Sequence, residues 1–167
     1  MTSAPLQIIQ ADYNNTLHAQ AIVLLLDAYA QDPAGGSQPL GDFAKTHLVQ
    51  ELARRPQAFS VLAFDITAHA QTPVGLVNCI EGFSTFACKP LVNVHDVVVL
   101  SSHRGQRVGE QMLALAEQIA VQRGACKLTL EVLSGNQSAI KLYQRVGFVG
   151  YQLDPAMGSA VFLQKQL

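Results

Sequence analysis

The stretch from Val94 to Gly109, VHDVVVLSSHRGQRVG, changes its hydrophobic period midway, and that change fixes a strand, a turn and a helix in that order. Asp96-Val97-Val98-Val99-Leu100 is β-branched and apolar with almost no alternation, the pattern of a strand covered on both faces. Ser101 to Gly105 interrupt it with polar and cationic groups. From Val108 onward, Val108, Met112, Leu115, Ala116 and Ile119 recur three or four apart and mark one face of a helix. A turn whose N–H groups open onto the positive end of a helix is an anion site, and Arg104 and Arg107 flank it. Paired arginines favour phosphate or pyrophosphate. The dinucleotide fingerprint does not fit, because it needs three glycines at fixed offsets and RGQRVG has two.

The rest of the chain supplies elements around this unit. Gln7 to Tyr13 reads as a strand, and Asn14 or Asn15 can cap the helix that follows, with Leu17, Ala21, Leu24, Leu25 and Ala28 on its buried face. Gln31 to Gly41 is rich in proline and glycine and reads as a loop, either a plain connector or a lid over a ligand. A second helix is predicted from Asp42 to Ala53, with Phe43, Leu48, Val49 and Leu52 inward and Pro56 ending it. Ala58–Ile66, Pro73–Gly82 and Val92–Leu100 are three closely spaced antiparallel strands. The central helix should stop at Gly124, a good C-cap. Lys127–Leu133 is another strand, and then Ser134 with Gln137, or Asn136, can cap a short helix closed by Gly147. Phe148–Leu153 and Ala160–Lys165 are the last predicted strands. The order predicts an α/β (α+β) sheet of six to seven strands, mixed but mostly antiparallel, with helices on both faces.

Length and charge narrow the function. A chain of 167 residues with 49% apolar and 14% charged residues is one globular domain with a core. A net charge of −1 argues against nucleic acid or an anionic membrane as partner. No apolar run reaches membrane-spanning length, and the first residues lack a secretory pattern. Cys79, Cys88 and Cys126 form no CxxC and read as reduced thiols of a cytoplasmic protein; the five histidines show no ligand spacing, so no metal is expected.

Two segments together carry a family resemblance. The strand followed by SSHRGQRVG and a helix resembles the acetyl-CoA pyrophosphate loop of the GNAT N-acetyltransferase superfamily, Arg/Gln-x-x-Gly-x-Gly/Ala at a helix start. LTLEVL followed by SGNQSAIKLYQRVGF resembles the second signature of that family, with Asn136, Tyr143, Gly147 and Phe148 at the matching positions. FSTFACKP is similar to a loop of the diamine and polyamine (small-amine) subgroup. The resemblance implies parallel fourth and fifth strands that splay apart, with the pantetheine arm in the gap. It assigns acetyl-CoA to Val97, Val98, Val99, Arg104, Gly105, Gln106, Arg107, Val108, Gly109 and Asn136. The chain departs from the family at Arg107, where the loop normally has glycine; arginine can still donate its N–H there if its φ is negative.

The implied activity is transfer of acetyl from acetyl-CoA to a primary amine of a small molecule. A main-chain N–H near Val97 would stabilise the oxyanion, and Tyr143 would protonate the leaving thiolate. The base is His95, at the place of a glutamate in the small-amine subgroup, or Glu81 on the preceding strand, or Asp96, or water. His95 and Asp96 are adjacent in a strand, so they should point to opposite faces. A non-catalytic acyl-CoA sensor and a protein N-acetyltransferase are the alternatives. Apolar Leu153 and Val161-Phe162-Leu163 on a last edge strand predict a homodimer.

Overall fold

The computed structural model describes residues 5–67 and 69–166, whose backbone forms two compact units that divide after Leu130. The first unit contains β1 (Leu6–Gln10), α1 (Thr16–Gln31), α2 (Asp42–Ala53), β2 (Ala58–Ile66), β3 (Gln71–Ser84), β4 (Lys89–Val99), α3 (Val108–Gln122) and β5 (Leu128–Leu130). The strands form one mixed α/β sheet in chain order, antiparallel from β1 to β4 and parallel between β4 and β5.

Local sequence sets the start of α1 and the end of α3. Asn15 Oδ1 accepts from the Leu17 and His18 N–H groups and starts α1. Gly124, at φ +75°, ends α3, and the Ala125 N–H donates back to Ala120 O in a Schellman pattern. Leu62, Phe64, Leu76 and Val98 form the core on one sheet face against Ala21, Ile22 and Leu25 of α1, with Leu48, Val49 and Leu52 of α2 packed beside them. Ile22 takes the place expected of Leu17 and Leu24, which are exposed. Phe43 also lies outside, stacked on His47 at 4.2 Å between ring centroids.

On the other face α3 lies close to the sheet. A Cβ at Gly75 would stand 2.8 Å from Met112 Cε, so the methionine packs against bare backbone there. Val108, Met112, Leu113, Ala116, Ile119 and Ala120 are the buried stripe of α3.

A β-bulge interrupts β4. Cys79 pairs with Val94 while Asn78 pairs with Asp96, so His95 is the extra residue. The parallel ladder to β5 stops just before it, with Val94 opposite Leu130, which is why β5 spans three residues and not the expected Lys127–Leu133.

The second unit contains α4 (Gln137–Arg145), started by Asn136 Oδ1 accepting from the Ala139 N–H at 3.2 Å. Gln137 Nε2 donates instead to Ser134 O, so the capping box gives way to the asparagine cap. Asp154 then caps a single 3-10 turn, Pro155–Met157. The expected strands Phe148–Leu153 and Ala160–Lys165 do not form among the described residues, so the sheet has five strands and not six to seven. Apart from Phe148 their large apolar side chains are exposed, Leu153 at 81% and Phe162 at 74%. A hairpin of two strands is marginal unless one face is covered, and this unit offers a single nine-residue helix.

Candidate functional site

The turn ahead of α3 has the conformation of an anion cradle. Ser101–His103 form a 3-10 turn, Gly105 has φ +78° and Arg107 has φ +59°. Arg107 therefore occupies the left-handed region, against the negative φ expected of a non-glycine residue, and it caps α3 without a side-chain hydrogen bond. The N–H groups of the first helical turn, from Val108 onward, have no acceptor within the helix and face the turn.

The turn is braced from within. His103 Nε2 lies 3.1 Å from Asp65 Oδ2, and His103 Nδ1 lies 2.8 Å from Ser102 Oγ. Gln106 Nε2 donates to Ser102 O at 3.1 Å. Arg104 is engaged within the protein: its Nε donates to Val99 O and its Nη2 to Asp32 Oδ2, both at 3.0 Å. Asp32 begins the segment between α1 and α2, where its Oδ1 also accepts from the Ala34 N–H. That N–H, and next the Arg104 guanidinium, hold the Asp32 carboxyl below the usual carboxylate range.

Beyond the bulge, β4 has a free edge. The Leu100 N–H donates to Val74 O, toward β3. By the alternation of an antiparallel ladder, Val97 and Val99 turn their main-chain groups the other way, past the end of the β5 pairing. Val98 differs from its neighbours: it pairs with Leu76 and buries its side chain in the core, so it presents nothing to that edge. Arg104 occupies Val99 O, which leaves the main-chain groups of Val97 and the Val99 N–H along an edge that runs into an anion cradle, and that edge fits a ligand in which amides precede a pyrophosphate.

The bulge also corrects the expected orientation of His95. Asn93 pairs with Ile80 and Asp96 with Asn78, which puts both on the face of α1 and α2. His95 Nδ1 lies 3.4 Å from Asn93 Oδ1, so His95 and Asp96 share this face where simple alternation would separate them. Asp96 Oδ2 accepts from Asn78 Nδ2 at 3.0 Å, and Asp96 forms no ion pair with a cation among the described residues. Tyr29 of α1 is near it: burial raises the pKa of that phenol, and the charges of Asp96 and Asp32 raise it further.

Glu81 lies apart from this group. It pairs with Val92 on the α3 face, where Arg123 Nη1 reaches its carboxylate at 3.4 Å while stacking over Phe59 at 4.7 Å. In the second unit, Tyr143 is half-buried and meets Phe148 edge-on at 5.9 Å. The Phe148 N–H donates to Tyr143 O at 2.9 Å and Gly147 has φ +94°, so the Tyr-x-x-x-Gly-Phe pattern is a Schellman stop with its apolar contact. Asn78 and Ser60 escaped the sequence reading; polar residues inside the apolar runs of β2 and β3 were the available signal. No group of three or more His, Cys, Asp or Glu among the described residues could hold a metal ion, and no described helix is long and apolar enough to cross a membrane.

Comparison with known proteins places the chain in a context. Residues 24–148 match the acetyltransferase (GNAT) family. The streptothricin acetyltransferase of Streptomyces lavendulae is 32% identical over 96 residues, covering 56% of this chain and 51% of that protein. The chain thus spans about half the length of this curated relative. Among solved structures, an aminoglycoside acetyltransferase from an uncultured soil metagenomic sample superposes with a TM-score of 0.76 at 15% identity, over 97% of this chain and 96% of that one. AAC(6')-Iy in complex with a bisubstrate analogue of CoA and acetylneamine does so with a TM-score of 0.74 at 17% identity, over 98% of this chain and 100% of that one.

Proposed function

The chain belongs to the acetyltransferase (GNAT) family, and from that premise we propose that it is an acetyl-CoA-dependent N-acetyltransferase acting on a primary amine of a small molecule. The observation that carries this reading is the β4 edge beyond β5, with the main-chain groups of Val97 and the Val99 N–H facing away from β3, running directly into the cradle at Arg104–Gly109. When bound, the thioester supplies the acetyl group and a thiol leaving group. Val97 and Val99 would hold the amide arm, and the N–H groups at Val108 and Gly109 the pyrophosphate. The turn's shape depends on Arg104, Gly105, Gln106 and Arg107.

The roles of the remaining residues follow from their chemistry. The Val97 N–H offsets negative charge developing on the acetyl oxygen. His95 takes the proton of the attacking amine, and Asp96 beside it attracts that amine as an ammonium. Glu81 is set aside as a base because Arg123 already pairs with it. Tyr143 is assigned the proton given to the thiolate, on the family pattern it shares with Asn136, Gly147 and Phe148.

Streptothricin-like and aminoglycoside amines head the substrate list, since relatives of both kinds exist. The reading has the protein cytoplasmic, with its cysteines as thiols, and homodimeric through the exposed apolar residues Leu153 and Val161–Leu163. Light scattering checks the last point, since a mass near 18.0 kDa would mean a monomer. Titration calorimetry with CoA and dephospho-CoA, followed by a thiol-release assay over aminoglycosides, streptothricin, diamines and peptide N-termini, tests the function. CoA binding with no thiol release from any amine would make the chain an acyl-CoA binder. Release with peptides alone would make it a protein acetyltransferase.

A further inference from the structure

A line of buried polar side chains crosses the sheet and ends on Asp96. Ser60, Asn78 and Asp96 are consecutive ladder partners on β2, β3 and β4, so their side chains stand in a row on the face of α1 and α2. Ser60 is 0% and Asn78 5% exposed, in a core otherwise made of apolar side chains. Buried polar groups this deep are costly without a partner, and each polar side-chain atom of Ser60 and Asn78 has one. Tyr13 Oη lies 2.9 Å from Ser60 Oγ, Ser60 Oγ lies 2.6 Å from Asn78 Oδ1, and Asn78 Nδ2 lies 3.0 Å from Asp96 Oδ2.

The chemistry of the four groups gives the row one direction. A carboxylate only accepts, so Asn78 must turn its NH2 toward Asp96 and its carbonyl oxygen toward Ser60. That oxygen also only accepts, so the single Ser60 proton goes to it. Ser60 Oγ then has lone pairs left, and Tyr13 donates into them. Burial raises the Tyr13 pKa and keeps its phenol a donor. Three donors aligned head to tail end on one anion, and each polarises the next.

We propose that Asn78, oriented by Ser60 and Tyr13, is a positioning residue that fixes the Asp96 carboxylate for capture of a cationic amine. The proposal rests on the acetyltransferase reading above, in which Asp96 faces the acceptor. One carboxylate oxygen is tied back to Asn78, which sets the rotation of the group and leaves the other oxygen for the ammonium. None of the three supporting side chains touches a substrate. Their effect is confined to the acceptor half of the reaction, because the side-chain bonds of the row run from Tyr13 to Asp96 while those of the cradle run to Val99, Asp32 and Ser102 among the described residues.

The test is steady-state kinetics on the full chain with the best amine from the thiol-release panel. Asn78→Ala should lower acceptor kcat/KM by about 10- to 100-fold, chiefly through KM, while the KM for acetyl-CoA changes less than about twofold. Ser60→Ala should give a smaller loss of the same kind, and Ser60→Thr, which keeps the donor hydroxyl, should recover it. Tyr13→Phe covers the case in which Asn78→Ala does not fold, since it removes one donor at the far end of the row. Donor and acceptor KM moving together, or no acceptor effect in a folded variant, would overturn the proposal. If the parent acetylates no amine, the functional reading fails separately, and NMR decides the row. The Asn78 side-chain amide resonances should shift on Tyr13→Phe, and their failure to move would refute the directional chain.

Discussion

The guanidinium of Arg104 lies 3.0 Å from the carboxylate of Asp32, joining the turn ahead of α3 to the segment between α1 and α2. The same side chain holds Val99 O, so one arginine ties together three parts of the first unit. Asp32→Asn removes the ion pair. Hydrogen exchange in residues 33–41 should then quicken, and the acceptor KM should rise several-fold. Global stability should change by about 1 kcal/mol or less, because the arginine is largely exposed. Exchange rates equal to the parent would show that the segment is held by its own turns alone.

Arg107 sits at φ +59°, where an L-residue costs about 1–2 kcal/mol relative to its usual conformations. Arg107→Gly removes that strain but gives the unfolded chain more freedom, so a net gain of about 0.5–1 kcal/mol is expected. Urea denaturation measures it. A loss of stability would mean that the arginine side chain contributes more than its backbone costs.

Tyr143→Phe keeps the ring that meets Phe148 and removes the hydroxyl. Turnover should fall about 10- to 1000-fold, the range for losing a general acid. The circular dichroism spectrum and CoA affinity should stay close to the parent's. Full turnover in this variant would leave Tyr143 with its helix-ending role only.

Acid should destabilise the first unit through its paired carboxylates. The Lys45 ammonium and the Leu40 N–H hold Asp27 low, the Ala34 N–H and Arg104 hold Asp32 low, and chiefly Arg55 holds Glu51 low. Groups depressed in the folded state stabilise it above their unfolded values, about 4, and lose that effect as pH falls through the folded ones. Thermal melts should be level from about pH 7 to 5 and fall below about pH 4. Asp27→Asn should flatten the acid limb, and an unchanged limb would point to other carboxylates.

Much of this architecture is written locally. The stripe of α3, the caps at Asn15 and Asn136 and the stops at Gly124 and Gly147 all depend on neighbours in sequence. What was not legible depends on partners far along the chain. Nothing in VNVHDVVV announces that His95 is surplus, because only the pairing of Asn78 with Asp96 makes it so. The pairing of Glu81 with Arg123 spans 42 residues, and the Ser60–Asn78–Asp96 row exists only in one register of three strands. Arg107 adopts a glycine-like conformation because the turn between β4 and α3 demands it, against the preference of the residue itself. The alternation at Val149, Tyr151 and Leu153 spells a strand, yet a pattern is only permission to pair, and no described partner accepts it.

The surplus residue in β4 has a consequence for how such a chain can change over generations. Removing His95 would take out the one residue of this stretch that has no partner on β3. Val94 would keep Cys79 and Asp96 would keep Asn78, so the ladder would close into regular pairing and the side chains from Asp96 to Val99 would keep their faces. What would go is the imidazole beside Asp96 and the local twist that a bulge adds. A change in length is therefore absorbed at this point, whereas the same change within a regular ladder exchanges the inside and outside of the strand beyond it.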